Sequence, residues 1–501
     1  MRQFRIERPF KVGAVAYCLI AGVVLIPAAH AAENAPSPAA AAATSQTGPL
    51  TLQQCIDIAL QKNRFRSVSR YSIEIAEAQH QQALSGYWPQ IGAKASYSIM
   101  DQDPNFIFPS NSMQTPGFNI DLTSIGGPNL PISPSNVEIP EQNIKLMDRK
   151  NFAASLNAAL PLYTGGQISA IVRQSEQGMK AAREEVRRTD LQIAYDTTRY
   201  YYGAVLAREL IQIGKEALSR MEVTLDLTEN LYTKGSGKVK KTDYLRNKVV
   251  VEWLRTAVTN LEANEQLARA ALTNSMGMGW ENPVEPAAQE LPFNPTSVAL
   301  KELVNGAYSF SPDWTSLEVG LEAAAAKIDE ANSGHLPKVG LFGSLTHIEN
   351  SYAKGIVTPD NKNSWVIGIG MELPLFNGLR TTGEVREARA RLEKLKQQQF
   401  LLKEGMALQV KHIYIRLMSS QQQKGSSEAA ALSSEENRSL NERAYREELV
   451  ETKDVLEAQM IESLMKAQYR KALYDNLDAR ANMDLVVGRQ IADIIAAPPA
   501  R

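Results

Sequence analysis

The chain has 501 residues, 54 Lys and Arg against 55 Asp and Glu, a formal charge of −1, and two cysteines. Near-neutrality leaves no basic footprint for nucleic acid, and two cysteines are too few for a disulfide framework. Beyond the first thirty residues no apolar run approaches the roughly 18 residues of a membrane-spanning helix, so a membrane role has to come from strands.

Residues 1–31 read as a secretory signal peptide. Arg2, Arg5, Arg8 and Lys11 precede an apolar run from Val12 to Ile26, and Ala29-His30-Ala31 suits cleavage. An anchor helix is the competing reading. Cleavage takes four basic residues and Glu7, leaving a charge of about −4 and Cys55 as the one cysteine. Residues 32–49 are a flexible leader rich in Ala, Pro and Ser.

Leu50 to Asn63 predicts a short amphipathic helix with Leu52, Ile56, Ala59 and Leu60 on one face. A second helix from Arg64 ends at Gly86-Tyr87-Trp88-Pro89, because proline cannot continue it. From Gln90 the period becomes two. Ile91, Ala93, Ala95, Tyr97 and Ile99 point one way, and Gln90, Gly92, Lys94, Ser96 and Ser98 the other. About ten such residues suit a transmembrane β-strand, although a half-buried strand in a soluble sheet has the same pattern. Residues 101–150 hold seven prolines and read as a long loop. A strand over 151–163 carries Phe152, Ala154, Leu156, Ala158, Leu160 and Leu162 on one face.

A helix over about 167–232 would be about 100 Å long at 1.5 Å per residue. Its narrow stripe (Ile171, Val172, Ala182, Val186, Ile193, Ala194) needs helices alongside it. The turn Lys234-Gly235-Ser236-Gly237-Lys238 fails the phosphate-loop pattern, since Val239 follows the lysine and Tyr232 stands where the first glycine belongs. A helix over 242–276 follows, with Thr242 as its expected N-cap.

After a linker at 278–297 the plan repeats over 298–488. Two helices lead to Ser333-Gly334-His335-Leu336-Pro337, which matches Ser85-Gly86-Tyr87-Trp88-Pro89. Strands follow at about 338–348 and 364–376, then helices at about 380–445 and 452–487 and a tail at 489–501. The first repeat covers 50–277. Each long helix follows a like junction, Leu160-Pro161-Leu162-Tyr163-Thr164-Gly165 or Leu373-Pro374-Leu375-Phe376-Asn377-Gly378. Pro161 and Pro374 sit where strand bends into helix, and Gly165 and Gly378 relax the turn.

Four membrane strands cannot close a barrel, and an open edge in lipid is costly. Chains must therefore combine. Small polar lumenal residues (Gly92, Ser96, Ser98, Ser155, Asn157, Gly368, Gly370) suit an open interior. The expected class is α+β: four transmembrane strands and long periplasmic helices per chain, trimerising into a 12-stranded β-barrel continued by an α-helical barrel. A periplasmic coiled-coil scaffold with a soluble sheet is the alternative. The continuous apolar face from Trp365 to Leu375 favours the membrane.

The duplicated plan, the two junctions, the two Gly-x-x-Pro strand entries and the helix starts at Asp243 and Asp454 together resemble TolC-like outer-membrane efflux proteins. The resemblance covers about 50–488. It implies an outer-membrane homotrimer, largely periplasmic, that passively conducts cargo for a tripartite efflux pump or type I secretion system. It also implies a periplasmic adaptor and an inner-membrane transporter as partners, outer-membrane lipid around the barrel, and no cofactor.

No catalytic or metal-ligand constellation appears around His80, His335, His347 or His412, so no enzyme is expected. By resemblance, Asp454 and Glu457 constrict the periplasmic end of the tunnel. Three residues apart on a helix, they share a face, and a trimer would stack them in two rings. A helix-start role for Asp454 is the alternative. Tyr445 and Asp243 match members of a gating network whose arginine is Val450 here, with Arg446 and Lys453 as candidate substitutes. Trp88 and Trp365 are expected membrane-interface aromatics, as are Tyr87, Tyr163 and Phe376. For Tyr163 and Phe376, core packing is an equal alternative.

Overall fold

A computed structural model of the chain describes residues 48–235, 239–279, 281, 283–491 and 493. The expected signal peptide, nearly all of the leader and most of the C-terminal tail lie outside the described residues. From Pro49 onward the chain forms one unit.

Thr51 opens α1 (Leu52–Lys62) with a reciprocal cap. Its Oγ1 accepts the Gln54 N–H at 3.4 Å, and the Gln54 side chain accepts the Thr51 N–H at 2.9 Å. This satisfies donors that a helix start leaves unpaired. Cys55 and Ala59 are buried, with Leu52 and Leu60 packed beside them. Burial pushes the Cys55 thiol up to about 11. Asn63 ends α1 and starts α2 (Arg64–Ser85), its Oδ1 accepting the Phe65 N–H at 2.8 Å.

Ten residues of β1 (Gln90–Ile99) follow. The Pro-rich segment is not a loop. It holds six short strands, β2 (Asn105–Phe108), β3 (Asn111–Thr115), β4 (Phe118–Ile120), β5 (Leu130–Ile132), β6 (Ser135–Ile139) and β7 (Gln142–Lys145). They pair as nested antiparallel ladders, β2 with β7, β3 with β6 and β4 with β5. Six of the seven prolines lie outside the strands, where a missing N–H costs no ladder bond, and Pro131 sits inside β5 opposite Asn119. That punctuation is what hides the period of two in the sequence.

Next come β8 (Lys150–Tyr163), α3 (Gln167–Thr233), α4 (Lys241–Ser275), α5 (Leu300–Phe310), α6 (Pro312–Asn332), β9 (Lys338–Asn350), β10 (Asn363–Glu372), α7 (Arg380–Arg446) and α8 (Thr452–Val487). The element order helix, helix, strand, strand, long helix, helix thus occurs twice, with β2 to β7 inserted in the first copy. Each copy closes alike. Gly277 (φ +68°) follows α4 and packs against the backbone of Lys62 and Asn63, while Gly488 (φ +81°) follows α8 and packs against Phe310 and Ser311. A Cβ at either glycine would strike a carbonyl.

The main sheet has the order β1-β8-β9-β10, antiparallel throughout. Its two outer edges, on β1 and β10, pair with no other strand among the described residues. No described helix is long and apolar enough to cross a membrane.

The two junctions differ in detail. Pro161 lies inside β8 opposite Gly340, beyond the stretch paired with β1, and the ladder to β9 is irregular between Pro161 and Tyr163. The last strand ends at Glu372 rather than at the expected 376, so Leu373 to Phe376 lie outside it. Leu375 and Phe376 are almost fully exposed. Both turns use left-handed backbone, Gly165 and Gly166 in the first, Gly378 and Leu379 in the second.

The long helices bury positions spaced alternately by four and three. Ala217, Met221, Thr224 and Thr228 line the far half of α3. Met406, Val410, Ile413, Leu417 and Ser420 line α7. This is the seam of a coiled coil. α3 packs on α2 and α6 near the sheet and on α4 and α8 beyond them, while α7 packs on α5, α6 and α8. One core gathers around Cys55, Tyr201, Leu272 and Leu473, and a second around Leu303, Val410, Ile413 and Met483.

Candidate functional site

The ends of α3, α4, α7 and α8 farthest from the sheet meet in a tip that gathers most of the sequence-predicted site residues. Tyr445, near the end of α7, is buried. Its hydroxyl lies 2.9 Å from Thr228 Oγ1 on α3 and 2.9 Å from Thr452 Oγ1 on α8. Thr228 also accepts from Asn247 Nδ2 on α4 at 3.3 Å and donates to the Thr224 carbonyl at 2.6 Å. Three helices are therefore tied through one phenol, and α4 joins them through the Thr228 hydroxyl.

Two further layers of buried polar contacts follow along the seam. Gln459 Nε2 donates to Thr224 Oγ1 at 3.0 Å and to Glu442 at 2.9 Å. Beyond it, Glu462 is 2% exposed and faces three cations: Lys466 at 2.8 Å, Arg438 at 2.9 Å and Arg220 at 3.5 Å. A buried carboxylate is tolerated only with such compensation. Thr224, Thr228, Gln459 and Glu462 were not singled out from the sequence. Their signal was polar residues at seam positions where apolar knobs are expected.

The two predicted acids of α8 differ sharply. Asp454 is the third residue of the helix, and its carboxylate accepts the Glu451 N–H at 3.1 Å. Asp243 does the same at the start of α4, accepting the Lys240 N–H at 3.0 Å. The N-cap of α4 is thus Lys240, not Thr242, because the acid three residues on supplies the capping oxygen in place of a threonine hydroxyl. Glu457 is exposed and makes no hydrogen bond or ion pair among the described residues.

Asp243, Lys453, Val450 and Tyr445 line one groove between the two turns, together with Arg246 and Glu451. Asp243 and Tyr445 share that groove without a hydrogen bond between them, since each has other partners. Lys453 pairs with Glu451 at 3.3 Å. Arg446 is exposed beside a neighbouring groove lined by Arg220 and Glu442 and joins none of these contacts. Val450 leaves the groove without a guanidinium at that position, and among the described residues Arg246 on α4 is the one arginine lining it.

At the other end, Trp88 and Trp365 are both exposed. Trp88 precedes β1 on the helix side of the sheet. Trp365 is the third residue of β10, on the side of the inserted strands.

A profile described as "Outer membrane efflux protein" matches residues 141–278 and 303–489. The chain belongs to the outer membrane efflux protein family. Among curated relatives, it is 22% identical over 256 residues to the alkaline protease secretion protein AprF of Pseudomonas aeruginosa, covering 49% of this chain and 51% of that one. It is 22% identical over 246 residues to the cation efflux system protein CusC of Escherichia coli K12, covering 48% and 52%. The chain spans about half the length of the curated relatives it matches. Solved structures extend the likeness of fold. The outer membrane protein VceC of Vibrio cholerae superposes with a TM-score of 0.67 at 18% identity over 88% of this chain and 96% of that one. CusC superposes at 0.68 and 16% identity over 88% and 92%.

Proposed function

We propose that this family member is an outer-membrane exit duct. Three copies join their four-stranded sheets into one 12-stranded barrel, and the helices continue it as a periplasmic tunnel. The observation that carries this reading is the sheet β1-β8-β9-β10 with both outer edges unpaired. In lipid an open edge costs several kcal/mol per group, so β1 of one copy pairs with β10 of the next. The apolar residues Trp365, Ile367, Ile369 and Met371 alternate along β10 and are exposed in the single chain, as a lipid-facing row requires. Trp88 and Trp365 then mark the two headgroup zones.

The tip of α3, α4, α7 and α8 lies at the periplasmic end. There Glu457, exposed and unpaired, carries the lumenal negative charge, with Asp454 beside it committed mainly to its own helix. Tyr445 and its hydroxyl partners hold the end closed. In this reading a periplasmic adaptor and an inner-membrane transporter supply cargo and energy, as in tripartite efflux and type I secretion. The duct itself contributes a passive path.

Fractionation and bilayer recording test it. The expected result is a heat-dissociable trimer in the outer-membrane fraction that conducts ions across a planar bilayer. A carbonate-extractable, monomeric, non-conducting chain overturns it.

A further inference from the structure

The six short strands between β1 and β8 form a projecting arm. Its base continues the membrane ladder almost in step. Ile99 faces Lys150, and Asn105 faces Lys145, six residues on along one strand and five back along the other. From there the step is kept. Phe108 faces Gln142 and Asn111 faces Ile139, then Thr115 faces Ser135 and Phe118 faces Ile132, three residues along each strand every time. From Asn105 to Ile120 this spans about 50 Å at 3.3 Å per residue.

The base is clamped. Lys145 pairs with Asp103 at 2.7 Å, and the Ile356 N–H donates to the Leu146 carbonyl at 2.8 Å. The outward strands and tip, up to residue 140, precede the residues that match the family profile.

The last ladder places Phe118, Ile120, Leu130 and Ile132 on one face, all exposed, with Ile125 exposed at the turn. The other face there holds Asn119 and Pro131. We propose that this face packs against the same face on neighbouring copies of the chain, so that three arms close on each other outside the membrane. The proposal rests on the trimeric duct.

Three observations select a second copy as the occupant. The arm springs from β1, the open edge along which the next copy must join, so its base sits on a subunit boundary. Symmetry sets identical clusters at one height around one axis. Between Asn105 and Lys145 there are only four charged side chains, Asp121, Glu138, Glu141 and Lys145, too few to recognise a charged headgroup or peptide. If β1 spans the membrane, Phe118 stands 19 residues past its end at Ile99, outside the acyl region. Proline at every ladder break discourages edge-to-edge addition of strands and leaves face packing.

The test uses full-length protein in intact cells, keeping the buried Cys55. Phe118→Cys and Asn119→Cys occupy adjacent positions on opposite faces. Mild oxidation is expected to give a disulfide-linked dimer band from Phe118→Cys and at least tenfold less from Asn119→Cys. Ile132→Cys repeats the first result if Phe118→Cys does not reach the outer membrane. Equal cross-linking at both faces overturns the proposal. So does an absence of cross-linking at Phe118 and Ile132, whether those thiols label freely with an impermeant maleimide or are shielded by lipid or another protein. A chain that still migrates as an outer-membrane trimer in either case leaves the duct standing, whereas loss of the trimer itself overturns the duct.

Discussion

The hydroxyl of Tyr445 and Oγ1 of Thr228 lie 2.9 Å apart in a buried site that joins α7 to α3. Phenylalanine at 445 keeps the ring and removes the bond; Thr228 keeps Asn247 and the Thr224 carbonyl, while the Thr452 hydroxyl loses the phenol. A buried group left unpaired costs about 1–3 kcal/mol. Tyr445→Phe is expected to loosen the tip, raising mean conductance in bilayers severalfold while the trimer stays intact. Thr228→Val should do the same from the other side of the bond. Unchanged conductance in both removes the contact from the closing network.

Asp454 and Glu457 separate in the same assay. Glu457→Gln removes an unpaired exposed charge and is expected to lower cation selectivity with little effect on stability. Asp454→Asn keeps an oxygen for the Glu451 N–H and removes a first-turn charge worth about 0.3–1 kcal/mol, and is expected to shift selectivity less. If the double variant keeps full cation selectivity and divalent-ion block, these acids do not form the constriction.

Glu462 is expected to be the most sensitive charge in the seam. Glu462→Gln leaves Arg438, Lys466 and Arg220 around an uncharged centre; each keeps a second carboxylate (Glu442, Glu435 and Glu216), so the loss is that of a charged hydrogen bond, about 1.5–3 kcal/mol. Thermal dissociation of the trimer, read as loss of the slow-migrating band, should occur at clearly lower temperature. Glu462→Leu with Arg438→Leu should lose less than Glu462→Gln alone, because the most buried of the three cations goes with the carboxylate, while Lys466 and Arg220 keep Glu435 and Glu216. The opposite order would place the stabilising role elsewhere.

Leu379 has φ +65° directly before α7, a conformation that costs a non-glycine residue about 1–2 kcal/mol. Its counterpart at the first junction is Gly166, with φ +85°. Leu379→Gly is expected to raise the dissociation temperature by relieving that strain. A fall instead would mean that the exposed Leu379 side chain packs on a neighbouring copy.

Most of the fold was legible in the sequence because its signals are long. Periods of two and of 3.6, repeated with the same Gly-x-x-Pro and Leu-Pro-Leu landmarks, place α3, α7, β1 and β8 to within a residue or two. What stayed hidden is short or non-local. The arm was masked because each ladder spans only three to five residues between prolines. The early end of β10 depends on tertiary context, since Leu373 and Leu375 keep the alternation after the ladder has stopped. At the tip, Asp243, Tyr445 and Asp454 were legible as positions, but not their partners. The Tyr445 to Thr228 contact bridges 217 residues, and no local pattern specifies it.

A titratable group near the end of α8 gives a pH dependence of defined sign. The Asp484 carboxylate accepts the Ile491 N–H at 2.6 Å, holding the segment after Gly488 against the second core. Burial pushes its pKa from the ordinary 3.8 up to about 6, with Asp493 adding to the rise and Arg480 and the Ile491 N–H opposing it. Between about pH 4 and pH 6 the folded chain therefore keeps a proton that the unfolded chain releases. Stability falls as pH rises through that window and levels off above it. Two pKa units correspond to about 3 kcal/mol. Asp484→Asn keeps an oxygen facing the Ile491 N–H and removes the charge. Its stability relative to the native chain should therefore grow from pH 4 to pH 7 and then stay constant, read from paired dissociation temperatures in one detergent. A difference that does not change across that range would show that Asp484 carries no raised pKa in the folded chain.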